Sequence, residues 1–238
     1  MEENSLTIVE NFLTNKEQTL DVKEELFGKL MFFYKSALIQ LNTQMNIIKD
    51  EFKIMYNYDL IDHIDTRIKE PKSIIKKIEK KNYEKTYINL IRKINDIAGM
   101  RVICTLKDDI FFIKDLIKQI PDVHILNEKD YVTKPKKSGY SSYHLIVEVP
   151  VRLSQEVVYV KCEVQIRTLA MDFWASFEHK VKYKSEQDIS SKASNELIRC
   201  AKMLNEFDNK MLKSKNISKT TWQFTIIIIK YNRLKKYI

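Results

Sequence analysis

The longest regular pattern lies between Val22 and Tyr58. Leu26, Leu30, Phe33, Ala37, Leu41, Met45 and Ile48 recur every three or four residues without an intervening proline, which predicts one long amphipathic helix. Glu70 to Lys81 predicts a second helix, with Pro71 at its first position and Ile74, Ile75 and Ile78 on its buried side. Leu90 to Ala98 predicts a short helix that Gly99 stops as a C′ glycine. The period then changes. Met100 to Leu106 predicts a strand, and Asp108 is the expected N-cap of a helix that runs to Gln119 and is closed off by Pro121. Val123–Leu126, Ser142–Val149 and Val157–Arg167 predict further strands, and Leu169–Tyr183 and Ser190–Lys213 predict further helices. Strands interleaved with helices imply an α/β or α+β domain with helices packed on a sheet. The stretch Trp222 to Ile229 is β-prone but has no evident place in that sheet.

Composition narrows the picture. The 238 residues are 44% hydrophobic, enough for one large packed domain or a core with helical extensions. The formal net charge of +9 favours polyanionic partners: nucleotides, nucleic acid or an acidic membrane face. Residues 209–238 add eight Lys and Arg with no Asp or Glu. Cys104, Cys162 and Cys200 are far apart, odd in number and without CxxC spacing, so reduced thiols and a cytoplasmic setting are expected. No basic-then-apolar leader opens the sequence, and its longest apolar run, Ile226 to Ile229, is far below the ~20 residues that span a bilayer. With only Gly28, Gly99 and Gly139, neither GxxxxGK nor GxGxxG can be written. Any phosphate must be handled by side-chain cations and metal.

Four segments carry candidate chemistry, each with a plainer alternative. Along Val157–Arg167, alternation puts Val158, Val160, Cys162, Val164 and Ile166 on one face and Lys161, Glu163, Gln165 and Arg167 on the other. In Ser142–Val149 the polar side carries Ser142, His144, Ile146 and Glu148. If the two strands are neighbours, Glu163, Gln165, His144 and Ser142 converge; the same alternation also describes a sheet with one solvated face. The segment Tyr131 to Tyr140 sets Lys134, Lys136 and Lys137 beside Gly139, which allows close backbone approach, and Tyr140, which offers a stacking face; it reads equally as a solvated basic turn. Arg67 and Lys69 precede a helix N-terminus, and Ser73 and Lys77 share a helix face, within a stretch from Arg67 to Lys93 holding ten basic and three acidic residues; a solvated helix face explains that too. Asp96 offers the oxygen donors that Mg²⁺ prefers, and Arg101 opens the next strand, a pairing that also fits an ordinary helix–strand junction.

Taken together, these segments resemble the synthetase domain of the RelA/SpoT-homologue family, and more closely the single-domain small alarmone synthetases. The matching stretches are RIKEPKSIIKKIEKK (67–81), INDIAGMRVIC (94–104), KDYVTKPKKSGYSSYHLIVEVPV (129–151) and VKCEVQIRTLAMDFWASFEHKVKYK (160–184), in the family's order. The resemblance implies a nucleotidyltransferase-like fold: a mixed central sheet of about five strands flanked by helices. It implies a synthetase core at 60–185, an N-terminal helical extension at 1–59, and a C-terminal helix with a basic tail at 186–238. The implied reaction moves the β,γ-pyrophosphate of ATP to the 3′-hydroxyl of GDP or GTP and releases AMP, with Mg²⁺ as cofactor and no hydrolase activity.

Carried over residue by residue, Arg67 and Arg101 resemble the pair that sandwiches adenine, and Lys69, Ser73 and Lys77 the ATP phosphate contacts. Asp96 resembles the Mg²⁺ ligand. Glu163 resembles the residue that activates the 3′-hydroxyl and also touches metal. Tyr140 resembles the guanine-stacking aromatic, with Lys136, Gly139, His144, Gln165 and Arg167 around the acceptor. The family's Lys-Pro-Asn-Gly-Tyr-Arg-Ser-Leu-His reads here Lys136-Lys-Ser138-Gly-Tyr-Ser141-Ser-Tyr143-His144, which removes an arginine from the acceptor's phosphates and leaves Lys137 as a substitute. A homotetramer through the C-terminal helices and single-stranded RNA as a further partner are implied as well, although the last ~25 residues differ from the family's. A catalytically silent nucleotide- or RNA-binding regulator on the same fold is the alternative, and pyrophosphorylation of another nucleotide or RNA a third reading.

Overall fold

The computed structural model describes residues 19–21, 25–184 and 191–217. The β-prone stretch 222–229 and the basic tail beyond 217 lie outside the described residues. Among the described residues, helix α1 (Glu25–Tyr56) is followed by β1 (His63–Ile68), α2 (Pro71–Lys80), α3 (Tyr87–Lys93), β2 (Ala98–Cys104), α4 (Lys107–Ile117), β3 (His124–Asp130), β4 (Tyr143–Arg152), β5 (Val157–Thr168), α5 (Leu169–Lys184) and α6 (Ser191–Ile217). The strands form one sheet in the order β1-β2-β5-β4-β3. Only β2 and β5 run parallel; every other pair is antiparallel. This is the mixed five-stranded, helix-flanked α+β sheet that the resemblance implies.

Alternation divides the sheet as the sequence foretells. Val158, Val160, Cys162, Val164 and Ile166 of β5 and Tyr143, Leu145, Val147 and Val149 of β4 are all buried. They join the periodic residues of α1, from Leu30 to Phe52, and Ile110, Ile113 and Leu116 of α4 in one apolar core. Phe52 of α1 meets Phe112 of α4 edge-on at 5.4 Å, which ties the two helices on that side of the sheet. The opposite face carries the polar side chains and is walled by α5. That helix follows β5 without a linker, and the Thr168 hydroxyl accepts from the Met171 amide at 3.1 Å to cap it.

Several local expectations are corrected. The short helix spans Tyr87–Lys93, not Leu90–Ala98, because Thr86 caps it, accepting from Asn89 N at 3.3 Å. Ile94 is already extended, so the chain enters β2 early. Gly99 therefore lies inside a strand and ends no helix. Asp108 is not the N-cap of α4; Leu106 holds that position without a side-chain bond, and Asp108 sits in the first turn, where its charge still suits the helix dipole. The strand β1 has no counterpart among the hydrophobic runs, since it is an edge strand with Asp65, Thr66 and Arg67 exposed.

Candidate active site

The register builds two rows of side chains across the polar face. Gly99 of β2 pairs with Arg67 of β1 on one side and Glu163 of β5 on the other, and Glu163 pairs with Ile146 of β4. In the adjacent row Arg101 lies between Asp65 and Gln165, and Gln165 pairs with His144. Gly99 has no side chain, so the floor between Arg67 and Glu163 stays open. The result is a cleft of about 620 Å³ lined by Arg67, Asp96, Gly99, Arg101, Tyr140, Glu163, Gln165 and Arg167, with Ser176, Glu178, His179 and Lys180 of α5 as its far wall.

At one end, Asp96 is held by two cations. Lys69 Nζ donates to its Oδ2 at 2.6 Å, and Lys77 Nζ lies 2.7 Å from Oδ1. Burial pushes the Asp96 carboxyl up, but the two lysines outweigh it and hold the group below the usual aspartate range. Helix α2 creates this arrangement: Ile74 and Ile78 anchor it in the core, which turns Lys77 toward Asp96. Ser73, four residues before Lys77, is exposed and does not line the cleft.

At the other end, Glu163 is clasped on both oxygens. His144 Nδ1 lies 3.3 Å from Oε1, and Gln165 Nε2 donates to Oε2 at 2.8 Å. Burial raises the Glu163 carboxyl, the His144 and Gln165 contacts lower it, and the net effect keeps it below the usual glutamate range. The negative charge of Asp96 works in the opposite direction on Glu163, so the two carboxylates face one another's field across the cleft. They are hard oxygen donors. That donor chemistry fits Mg²⁺, which takes one or two carboxylates and completes its shell with substrate phosphates and water.

Tyr140 stands over this end. Its hydroxyl is 2.7 Å from His144 Nε2 and accepts from Arg167 Nη2 at 2.8 Å. Lys136 Nζ lies 4.7 Å from the Tyr140 ring centre and 4.6 Å from that of Tyr131. The segment between β3 and β4 is a compact turn: Asp130 accepts from the amides of Val132 and Thr133, Gly139 N donates to Lys136 O, and Lys136 N to Tyr140 O. Gly139 does not open the backbone to the cleft. It has φ +92°, and a Cβ built there would sit 2.5 Å from Ala201 Cβ of α6. Ser141 turns toward a separate cavity of about 260 Å³ between this loop, α5 and α6, so the cleft gains no contact from it.

The structure thus gathers Arg67, Asp96, Arg101, Tyr140, Glu163, Gln165 and Arg167 in one cleft and attaches Lys69, Lys77, His144 and Lys136 to them. Ser73 and Gly139 stay outside it. The hydrophobic pattern gives no sign of Asp172 on α5, whose Oδ1 accepts from Arg167 Nη1 at 2.9 Å and lies 3.6 Å from Arg101 Nη1. Helical spacing was the available signal: Asp172, Ser176 and His179 fall on one face, four and then three residues apart.

The chain that builds this cleft is similar in sequence and fold to known proteins. The chain is 40% identical over 200 residues to the GTP pyrophosphokinase YwaC of Bacillus subtilis, covering 84% of this chain and 95% of that one. The crystal structure of small alarmone synthetase 2 from Bacillus subtilis superposes with a TM-score of 0.74 at 40% identity, over 82% of this chain and 100% of that one. Small alarmone synthetase 1 from Bacillus subtilis, bound to its product pppGpp, superposes with a TM-score of 0.76 at 29% identity, over 82% and 100% of the two chains. The family model described as the region found in RelA / SpoT proteins matches residues 66–188, more than half of the sequence, and the chain belongs to that family.

Proposed function

We propose that this chain is a GTP pyrophosphokinase that makes ppGpp or pppGpp from ATP and GDP or GTP, releasing AMP. The observation that carries the reading is the pair of charge-tuned carboxylates, Asp96 and Glu163, facing each other across one cleft with cations around them. Arg67 and Arg101 take the adenine of ATP, and Lys69 and Lys77, the two cations on Asp96, its phosphates, while Ser73 stays on the exposed side of the helix. Tyr140 stacks on guanine, with Lys136, His144, Gln165 and Arg167 around the acceptor. Gly139 supports Tyr140 from behind rather than meeting the nucleotide. Glu163 accepts the proton of the ribose 3′-hydroxyl as that oxygen bonds to the β-phosphorus; the bond from the β-phosphorus to the oxygen shared with the α-phosphate breaks, and AMP departs.

Pyrophosphoryl transfer needs positioning and charge neutralisation more than covalent help from the protein. Asp96 and Glu163 would hold Mg²⁺, which when bound neutralises phosphate charge. The lysines now on Asp96 are placed to turn to ATP phosphates. A carboxylate held ionised is ready to accept a proton at neutral pH, a contribution of ~10²–10⁴-fold. The proposal extends to a homotetramer, supported by apolar stripes left exposed on α5 (Leu169, Phe173, Phe177) and α6 (Met203, Phe207, Met211). It extends also to single-stranded RNA as a partner, supported by the basic C-terminal sequence, and to a cytoplasmic location. No described helix is long and apolar enough to cross a membrane.

The test is to incubate the protein with Mg²⁺, labelled ATP, and GDP or GTP. AMP and ppGpp or pppGpp are expected together. Glu163→Gln keeps the shape of the side chain and removes the base, so turnover falls at least ~100-fold while ATP affinity changes little. Nucleotide or RNA binding without product in the unaltered chain points instead to the silent regulator, and full activity in Glu163→Gln removes Glu163 as the base.

A further inference from the structure

Arg167 is buried, yet it is the centre of the polar network in the cleft. Its Nη1 donates to Asp172 Oδ1 at 2.9 Å. Its Nη2 donates to the Tyr140 hydroxyl at 2.8 Å and, closely, to Gln165 Oε1. A guanidinium can only donate, and this fixes everything downstream of it. With Gln165 Oε1 occupied by Arg167, the Gln165 amide nitrogen faces Glu163, where it donates to Oε2 at 2.8 Å. With the Tyr140 oxygen accepting from Arg167, the phenolic proton is available for the 2.7 Å contact to His144 Nε2. That direction leaves Nε2 bare and the ring proton on Nδ1, which faces an acceptor, Glu163 Oε1, at 3.3 Å.

We infer that Arg167 is a positioning residue, not an acceptor-phosphate contact: it sets the direction of two hydrogen-bond chains, one through Tyr140 and His144 and one through Gln165, that both end in N–H donors on the Glu163 carboxylate. Tyr140 consequently has two separable roles, a ring for the acceptor base and a hydroxyl that selects the His144 tautomer. Asp172 anchors the arrangement and, lying 3.6 Å from Arg101 Nη1, joins it to the other half of the cleft. The kinetic half of this inference rests on the pyrophosphokinase reading; the tautomer half does not.

The experiment uses the full chain labelled with ¹⁵N-histidine and reads the protonation of each ring nitrogen directly. A protonated Nδ1 and a bare Nε2 are expected at His144. Tyr140→Phe, which keeps the ring, should lose that fixed tautomer and lower kcat at least ~10-fold through misplacement of the base, with the KM for the guanine nucleotide changed less than ~3-fold. Arg167→Met should behave alike. An Nε2-protonated or doubly protonated His144 in the unaltered protein overturns the inference. So does a guanine-nucleotide KM that climbs in Arg167→Met while kcat holds, because that pattern marks a phosphate contact. If the unaltered chain makes no alarmone, the function reading fails and the tautomer measurement alone decides this one, with Tyr140→Phe as the variant that preserves packing.

Discussion

Gly139 is fixed by two constraints unrelated to a ligand. Its φ of +92° is a backbone conformation that side chains disfavour, and the space where a Cβ would go is filled by Ala201 Cβ at 2.5 Å, with Trp174 at 3.5 Å behind it. Neither obstacle is a flexible chain end that swings aside. Gly139→Ala is therefore expected to destabilise the protein by about 1–3 kcal/mol, read as a lower urea midpoint. Because Tyr140 is the next residue, the same variant should weaken guanine-nucleotide binding more than ATP binding. Equal stability would mean that α6 yields at Ala201. Ser141 belongs to the same side of the loop: its hydroxyl is buried without a hydrogen-bond partner, toward the cavity beside α6. Ser141 therefore adds no contact to the cleft, and at that end the exposed Lys136 lies over the Tyr140 ring beside the buried Arg167.

At the scale of elements, the alternating strands were the legible part of the site. Period-two spacing alone placed Glu163, Gln165 and Arg167 on one face of β5 and His144 on the matching face of β4, and the register pairs His144 with Gln165. What spacing could not give was β1. Six residues at a sheet edge, three of them exposed, carry no hydrophobic run, and only pairing with β2 makes them a strand. Arg67 and Asp65 thereby reach the cleft as strand residues rather than as part of a helix N-terminus. Gly99 escaped for a related reason: a glycine after a helical stretch suits a C′ position, and nothing local signals that it is the open tile of a sheet floor. A Cβ there would meet Arg67 Cγ and O at 3.8 Å, ordinary contact distance. Gly99→Val should leave stability unchanged or raise it by up to ~1 kcal/mol, since β-branched residues favour strands. It should cut kcat/KM at least ~10-fold by filling the floor between Arg67 and Glu163, a shift of about 1.4 kcal/mol. Loss of stability without loss of activity would contradict the assignment of the floor.

Across the whole molecule, α6 fastens the polar side of the sheet to the rest. Thr168, at the end of β5, donates to the buried Asp208 at 2.7 Å; Trp174 Nε1 donates to Leu197 O at 2.9 Å; Lys107 Nζ reaches Asn205 and Asn209 at 2.6 and 2.9 Å. Farther along, Lys215 Nζ donates to the Tyr58 hydroxyl at 3.1 Å, and that hydroxyl donates to Asp109 Oδ1 at 2.8 Å. The last contact joins three distant parts of the chain at a carboxyl that is fully buried. Burial pushes Asp109 up to about 6, with the Tyr58 hydrogen bond and the Lys215 charge offsetting part of the effect. In the unfolded chain the same group titrates near 3.9. The folded state therefore binds this proton more tightly. Its contribution to stability is fully present below about pH 4 and is lost as pH rises through about 6. Asp109→Asn cannot titrate and removes that dependence. Urea unfolding of both proteins should show the unaltered chain losing about 1 kcal/mol relative to Asp109→Asn between pH 5 and pH 8. A difference that stays constant over that range would mean Asp109 is ionised throughout, with Lys215 compensating its burial, and the clasp of α6 on α4 through Tyr58 would then be an ion pair rather than a hydrogen-bonded acid.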